Sequence, residues 1–170
     1  MQRLFQHAAA AAALLTLGAC ASTSGGSSAS SVTMLPAAGR TVLVDTRGKS
    51  HDINATLASG KQVAFVFWQP WCTSCKAEAP VASQAATRFS SELEVIGVVS
   101  GPEGSVDEDA MKEALFSWGM TYPSIRDTSM ELTNGLGIEG APTIVIVNPD
   151  GSIAYNAHVA PEEWGHRTTQ

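Results

Sequence analysis

The sequence predicts an α/β domain with a mixed β-sheet flanked by helices, and three observations lead to that prediction. Long stretches of helix-forming residues alternate with short apolar runs. A Pro-Asp-Gly turn at residues 149–151 then folds the chain back on itself. Strands that alternate with helices and end in a hairpin are typical of an α/β fold with both parallel and antiparallel pairing. Three of the apolar runs are rich in β-branched residues and read as buried strands: 63–68, 93–99 and 143–147.

The first half of the domain contains an edge strand, a central strand and a long helix. Residues 41–45 alternate weakly, which predicts an edge strand before a turn at 47–49. The continuous apolar run 63–68 predicts a central strand covered on both faces. Residues 72–89 are rich in Ala, Lys, Glu and Gln and predict a helix, which Pro80 should kink.

The middle of the domain holds a second buried strand and two helices. Residues 93–99 predict the strand. Residues 105–118 predict a helix with Ser105 or Asp107 as its N-cap, because side-chain oxygens of these residue types accept the first free N–H groups. Residues 129–136 predict a short helix that ends at glycines.

The last part of the domain is a hairpin with a short tail. Residues 143–147 and 152–157 predict two antiparallel strands around the turn. After them only residues 161–167 could form a helix.

Size and charge restrict the class of protein. The chain has 170 residues, which suits one domain plus additional segments. Apolar residues make up 44% and charged residues 15%, as in a globular protein and unlike a disordered one. The net charge of −6, from 10 basic and 16 acidic residues, argues against a nucleic-acid partner. We assign the domain to residues 35–170 and expect a monomer.

The N-terminal segment predicts export and a lipid anchor. An apolar run of about ten residues, 8–17, is too short for a bilayer span of roughly 20 residues but suits a signal peptide. The small residues before Cys20 resemble the lipobox of bacterial lipoproteins, in which the cysteine is acylated and becomes the mature N-terminus. We therefore predict a lipoprotein signal peptide at 1–19 and lipidation of Cys20. An ordinary signal peptide with an incidental cysteine is the alternative.

A flexible tether follows Cys20. Residues 21–31 consist of Ser, Gly, Ala and one Thr, a composition typical of flexible linkers. We assign residues 20–34 to the lipidated cysteine and this tether. The expected location is the cell envelope, with the domain facing the periplasm or extracytoplasmic space and held at the membrane by lipid.

Cys72 and Cys75 form a C-x-x-C motif where a buried strand gives way to a helix. The free N–H groups and the positive dipole end of the helix favour a thiolate at Cys72, and Lys76 adds a positive charge. Cys75 follows one helical turn later, so the two sulfurs can bond to each other. In this interpretation Cys72 is exposed and attacks a partner disulfide, whereas Cys75 faces inward and resolves the mixed disulfide.

Two other interpretations of the motif remain at this point. A zinc site would need further ligands, and the remaining histidines of the domain have no ligand spacing, so we predict no metal and no cofactor. A purely structural disulfide is possible in an exported protein, but such a small loop constrains the unfolded chain little.

Residues 67–80 resemble the active-site segment of thioredoxin-fold proteins, most closely the membrane-tethered TlpA/ResA/DsbE-like branch of the redoxin and AhpC-TSA-related proteins. The Gly140-Ala141-Pro142-Thr143 segment looks like the cis-proline loop of that fold. The resemblance covers about residues 35–157. It implies a thioredoxin-like fold and thiol–disulfide oxidoreductase activity.

The resemblance also implies roles for individual residues. Pro142 should follow a cis peptide bond and face Cys72, and the loop residues Ala141, Pro142 and Thr143 should bind an extended substrate. Trp71 should shield the cysteine pair. Glu78 matches an acidic residue of this branch that could carry protons to or from Cys75, although a solvated acid in the first helical turns is an equal alternative.

Two features depart from the family pattern. Val66 stands where many thioredoxins carry a buried Asp, so proton transfer would depend on Glu78 or water. Thr73-Ser74 replaces the usual dipeptide between the cysteines, and two hydroxyl groups there could stabilise the thiolate and make the couple more oxidising.

The predicted function is exchange of the Cys72–Cys75 disulfide with thiols or disulfides of exported proteins. The resemblance favours a reductant of the cytochrome c maturation type that receives electrons from an unidentified membrane donor. Two alternatives are a copper-related thiol carrier and a non-catalytic, tethered interaction module. The copper alternative would need Met120, Met130 or His158 near the cysteines.

Overall fold

A computed structural model describes residues 32–165 of the chain. The predicted signal peptide, Cys20 and the tether up to residue 31 lie outside the described residues. Within them, no helix has the length and apolar character needed to cross a membrane. The helices and strands are β1 Val42–Val44, β2 Ser50–Asp52, α1 Ile53–Ala58, β3 Gln62–Phe67, α2 Thr73–Arg88, β4 Leu93–Ser100, α3 Glu108–Ser117, β5 Ser124–Asp127, α4 Glu131–Gly135, β6 Thr143–Val147 and β7 Ile153–Ala157.

A five-stranded mixed sheet forms the centre of the domain, in the order β5-β4-β3-β6-β7. The central strand β3 pairs parallel with β4 and antiparallel with β6, and β7 returns antiparallel to β6. This arrangement confirms the predicted mixed sheet and the predicted central strand. All six residues of β3 are buried, as the continuous apolar run predicts.

Successive residues of β3 point into two different apolar cores. Val63, Phe65 and Phe67 belong to one core, with residues of α1 and α4. Ala64 and Val66 belong to the other, with residues of α2 and β4. Because strand side chains alternate between the two sheet faces, each face is covered by helices and the sheet is buried.

Three elements were not predicted from the sequence: β2, α1 and β5. The predicted edge strand 41–45 is β1, and it pairs with β2 in a separate two-stranded sheet. Asp45, the residue after β1, forms a β-bridge with Ile125 of β5 in the five-stranded sheet. The segment is therefore a lead-in hairpin and not an edge strand of the main sheet.

Several predicted boundaries shift. The helix predicted at 105–118 begins at Glu108, because the Asp107 carboxylate caps it by accepting the N–H groups of Asp109 and Ala110. Residues 161–165 form no helix, although 161–167 were the last candidate. At the other end, Thr33 O accepts the N–H of Ile153, so the last tether residues already contact the sheet.

A buried acid–imidazole–acid network ties the lead-in hairpin to the main sheet. His51 of β2 places Nδ1 2.8 Å from Glu94 Oε1 on β4 and Nε2 3.3 Å from Asp45 Oδ2. Burial alone would raise the pKa of Asp45, but the backbone N–H groups of Lys49 and Arg47, together with the side chains of His51 and Arg47, lower it to about 2. The Asp45 side chain has no exposed surface, so solvent screens these bonds little.

Asp45→Asn is expected to remove roughly 2 kcal/mol of stability at pH 7, since the pKa of Asp45 lies about two units below its ordinary 3.8. A lowered carboxylate pKa stabilises the fold above about pH 4, and that contribution disappears as the pH falls from about 4 to 2. Urea unfolding at several pH values should therefore show a flatter acid limb for the variant. Asp109→Asn, at an exposed carboxylate, is the matched control and should follow the wild type.

Candidate active site

Cys72 sits at the start of α2 and caps it with its own sulfur. The Sγ atom accepts the backbone N–H of Cys75 at 3.1 Å, so the helix begins at Thr73. An N-cap acceptor is held against the free N–H groups and the positive dipole end of the helix, which favour negative charge. Cys72 and Cys75 are joined by a disulfide. The C-x-x-C motif thus lies between β3 and α2, at the strand-to-helix junction that the sequence predicts.

The two sulfurs differ in accessibility, as predicted. Cys72 is partly exposed, whereas Cys75 is 3% exposed. Cys75 lies in an apolar cluster with Trp68, Val99 and Met111. An external thiol or disulfide therefore reaches Cys72 first.

The indole of Trp68 belongs to the same apolar cluster as Cys75, and Cys72 packs against that cluster. It is 2% exposed, and its ring meets that of Trp118 edge-on at 5.4 Å between centroids. Its Nε1–H donates to Ser124 Oγ at 3.3 Å. Val66 stands where many thioredoxins carry a buried Asp, and its side chain lies in the second core.

The loop before β6 faces Cys72. The Ala141–Pro142 peptide bond is cis, as the resemblance implies. Ala141 O lies 3.6 Å from Cys72 Sγ, so the carbonyl that precedes the proline contacts the exposed sulfur. A thiol at Cys72 could donate to this oxygen, whereas the disulfide has no proton to donate. Cys72, Ala141 and Pro142 thus meet at one place.

The remaining predicted site residues take different positions. Trp71 is 65% exposed next to Cys72. Thr143 is buried, and its hydroxyl donates to Gly140 O at 2.7 Å within the loop. Glu78 is half-buried, and its carboxylate accepts the backbone N–H of Ala160 at 3.1 Å. Its predicted proton-carrying role stays a prediction.

The dipeptide between the cysteines places one hydroxyl near sulfur. Both residues are exposed, and Ser74 Oγ lies 3.6 Å from Cys72 Sγ. Ser74 is therefore the residue of the pair that could donate to a thiolate at Cys72.

A cavity of about 220 Å³ lies beside the loop, between the end of β3 and α4. Gln69 lines it and donates from Nε2 to Ser100 O at 2.7 Å, while its buried Oε1 has no partner among the described residues. Met130, also in the lining, adopts a left-handed backbone with φ of 60°. Across residues 32–165, no three His, Cys, Asp or Glu side chains gather where they could hold a metal ion.

Sequence reasoning missed one residue of the loop region. His158, considered before only as a copper ligand, places Nδ1 2.8 Å from Pro142 O. The two residues are 16 positions apart, on opposite sides of the β6–β7 hairpin. No local spacing could indicate this contact, because it depends on the register of the two strands.

Comparison with known proteins agrees with this geometry. Residues 26–168 match the Redoxin family, which covers most of the chain. The chain belongs to the Redoxin family.

Curated relatives of this Redoxin chain include proteins named ResA. The thiol-disulfide oxidoreductase ResA of Bacillus subtilis is 30% identical over 113 residues, which cover 66% of this chain and 60% of the relative. ResA of Geobacillus thermodenitrificans is 27% identical over 114 residues, covering 66% and 62%. The matched region thus spans about three fifths of the length of these relatives.

Solved structures confirm the thioredoxin-like fold of this Redoxin domain. A secreted Mycobacterium tuberculosis disulfide oxidoreductase homologous to E. coli DsbE has a TM-score of 0.58 at 23% identity, covering 72% of this chain and 85% of that one. A putative thioredoxin from Neisseria meningitidis has a TM-score of 0.61 at 23% identity, covering 71% and 78%. At this level of identity the likeness concerns the fold.

Proposed function

We propose that this Redoxin-family chain is a thiol–disulfide oxidoreductase that exchanges its Cys72–Cys75 pair with thiols or disulfides of exported proteins. The observation that carries the proposal is the placement of one accessible sulfur. Cys72 Sγ lies at a helix N-terminus and 3.6 Å from the Ala141 carbonyl, while Cys75 is buried behind it. The relatives named thiol-disulfide oxidoreductase support the same chemistry.

Reduction of a substrate disulfide would proceed in two exchanges. The Cys72 thiolate attacks one substrate sulfur, forms a mixed disulfide and releases the other substrate sulfur as a thiolate. Cys75 then loses its proton and attacks Cys72, which forms the Cys72–Cys75 disulfide and releases the second substrate thiol. Two electrons pass to the substrate, and an external dithiol donor must return them to the pair. Oxidation of substrate thiols is the reverse sequence.

We assign to Glu78 the transfer of the proton to and from the Cys75 sulfur. It lies three positions after Cys75, which places both on neighbouring turns of α2. Its carboxylate accepts the Ala160 N–H, and a carboxylate retains further lone pairs for water or a thiol proton. Val66 cannot take this role, because its side chain carries no proton acceptor.

The favoured direction is reduction, of the cytochrome c maturation type, and the family resemblance supports it. The Ser74 hydroxyl near Cys72 acts in the opposite direction, because a donor that stabilises the thiolate makes the couple more oxidising. The reduction potential of the Cys72–Cys75 pair decides whether the chain acts as a reductant or as an oxidant. A value near about −270 mV would support a reductant, and one near about −120 mV an oxidant.

The test of the proposed activity is a direct exchange assay. The reduced chain is mixed with a peptide that contains one disulfide, and both partners are analysed by mass after acid quenching. The expected products are the reduced peptide and one Cys72–Cys75 disulfide per peptide reduced. Unchanged peptide under conditions in which dithiothreitol reduces it would contradict the proposal.

We also propose that lipid at Cys20 tethers the domain to a membrane of the cell envelope. The apolar run before Cys20 and the Ser/Gly-rich segment after it support this proposal. In a bacterial host, the chain should fractionate with membranes and incorporate labelled fatty acid. Cys20→Ser should lose the label and leave the membrane fraction. Equal labelling of both chains would contradict lipidation at Cys20.

A further inference from the structure

The segment that follows β7 is bound to both sides of the candidate active site. On one side, His158 Nδ1 lies 2.8 Å from Pro142 O and 3.0 Å from Thr143 Oγ1. On the other, the Ala160 N–H donates to the Glu78 carboxylate on α2. Three residues of this segment thus connect the helix that carries the cysteines with the loop that faces them.

The hydrogen-bond partners of His158 determine its tautomer. Pro142 O can only accept a hydrogen bond, so Nδ1 must carry the hydrogen. The Thr143 hydroxyl donates its own proton to Gly140 O at 2.7 Å, which leaves its oxygen as an acceptor for the same Nδ1–H. The His158 Nδ1–H therefore serves two acceptors at the base of the loop. The ring itself is exposed, unlike a histidine that fills a core.

These bonds leave one residue of the loop with free backbone groups. Side chains hold the carbonyls of Gly140 and Pro142 on either side of Ala141. Among the described residues, the Ala141 N–H has no hydrogen-bond partner, and Ala141 O contacts only Cys72 Sγ. An extended segment could use both groups as the edge of a strand.

We propose that His158 is a positioning residue that fixes the Pro142 carbonyl and so holds Ala141 ready to pair with an extended polypeptide beside Cys72. The inference rests on the proposed oxidoreductase function and on the binding of an extended substrate by residues 141–143 that the resemblance implies. What it adds is the residue that holds this loop, and with it a difference between polypeptide substrates and small disulfides. Small disulfides reach Cys72 without pairing to the loop, so they do not depend on His158. Preorganisation of the loop lowers the cost of binding the longer substrate.

The test compares two substitutions at His158 on two substrates. His158→Phe keeps a ring but removes the Nδ1–H, whereas His158→Asn provides an amide N–H at a similar distance from the backbone. For a disulfide-containing peptide, His158→Phe should raise KM by roughly three- to tenfold, the effect of losing one hydrogen bond, with kcat within about twofold. His158→Asn should return KM to within about twofold of the wild type. Reduction of 2-hydroxyethyl disulfide should be the same for all three chains.

Controls separate positioning from folding and from the proposed activity. Asn156→Ala changes an exposed residue of β7 and should leave both substrates unaffected. Melting temperatures of the variants should agree within a few degrees. An unchanged peptide KM in His158→Phe, an equal loss on the small disulfide, or no rescue by His158→Asn would each overturn the positioning role. A wild-type chain that reduces neither disulfide would instead refute the proposed function and the positioning role with it.

Discussion

Cys72→Ser is expected to reduce disulfide exchange to the background rate. The serine hydroxyl is similar in size to the thiol, but it does not form the nucleophilic anion at neutral pH and cannot form a disulfide. Cys75 cannot substitute for Cys72, because its side chain is 3% exposed within the cluster that contains Trp68 and Val99. The measurement is the rate of peptide disulfide reduction by the prereduced chain, with thiol content determined before mixing.

Cys75→Ser is the matched variant, and it should fail at a different step. Cys72 remains accessible and still attacks the substrate, but no second sulfur releases it. A mixed disulfide between Cys72 and the peptide should therefore accumulate in non-reducing gels and disappear on addition of dithiothreitol. Cys72→Ser should form no such adduct. Together the two variants assign attack to Cys72 and resolution to Cys75.

The results also separate the proposed enzyme from a non-catalytic interaction module. Full biological activity of Cys72→Ser in cells would favour a module that binds extended peptides without exchange. Retained exchange by purified Cys72→Ser would refute the mechanism altogether. Loss of exchange, with the thermal stability of the reduced variant equal to that of the reduced wild type, is the result that the proposed mechanism requires.

The elements that sequence reasoning predicted well are those whose local pattern matches their final environment. The β3 and β6 runs are apolar at nearly every position because both faces of the sheet are covered. The missed strand β5 reads Ser-Ile-Arg-Asp, with a single apolar residue. It is a strand because β4 offers it a parallel partner and because Asp127 accepts the Thr133 N–H at 2.8 Å. The β4 partner lies about 27 residues earlier in the chain, so no local pattern could predict the pairing.

The residues of the candidate active site also divide into those that a local pattern predicts and those that depend on the tertiary fold. Cys72 and Cys75 could be predicted because their spacing at a helix start carries the chemistry, and Pro142 because its loop resembles that of a known family. His158 could not, because its contact with Pro142 arises only when the hairpin brings β7 beside β6. Glu78 lies between these cases: its helix position could be predicted, but its bond to Ala160 could not. Local spacing thus identifies the reacting groups, and the tertiary fold supplies the residues that hold them.

Two tryptophans three positions apart predict opposite results for the same substitution. Trp68 is 2% exposed, and Trp71 is 65% exposed. The Trp68 indole packs so closely against the adjacent strand β4 that a Cβ on Gly97 would come within 2.8 Å of its Nε1. A side chain packed this closely cannot be removed without leaving a cavity, since the neighbouring strand relaxes only partially.

Trp68→Ala is therefore expected to lower the free energy of unfolding by about 3–5 kcal/mol, whereas Trp71→Ala should change it by less than about 0.5 kcal/mol. The measurement is urea unfolding of the oxidised chains, followed by circular dichroism because the substitutions remove fluorophores. Equal unfolding midpoints for the two variants would contradict the buried packing of Trp68. Because Trp68 packs against Cys75 and Trp71 adjoins Cys72, Trp68→Ala should also expose Cys75 to alkylation in the reduced chain. Trp71→Ala should leave Cys75 protected, since the apolar cluster around that sulfur does not include Trp71.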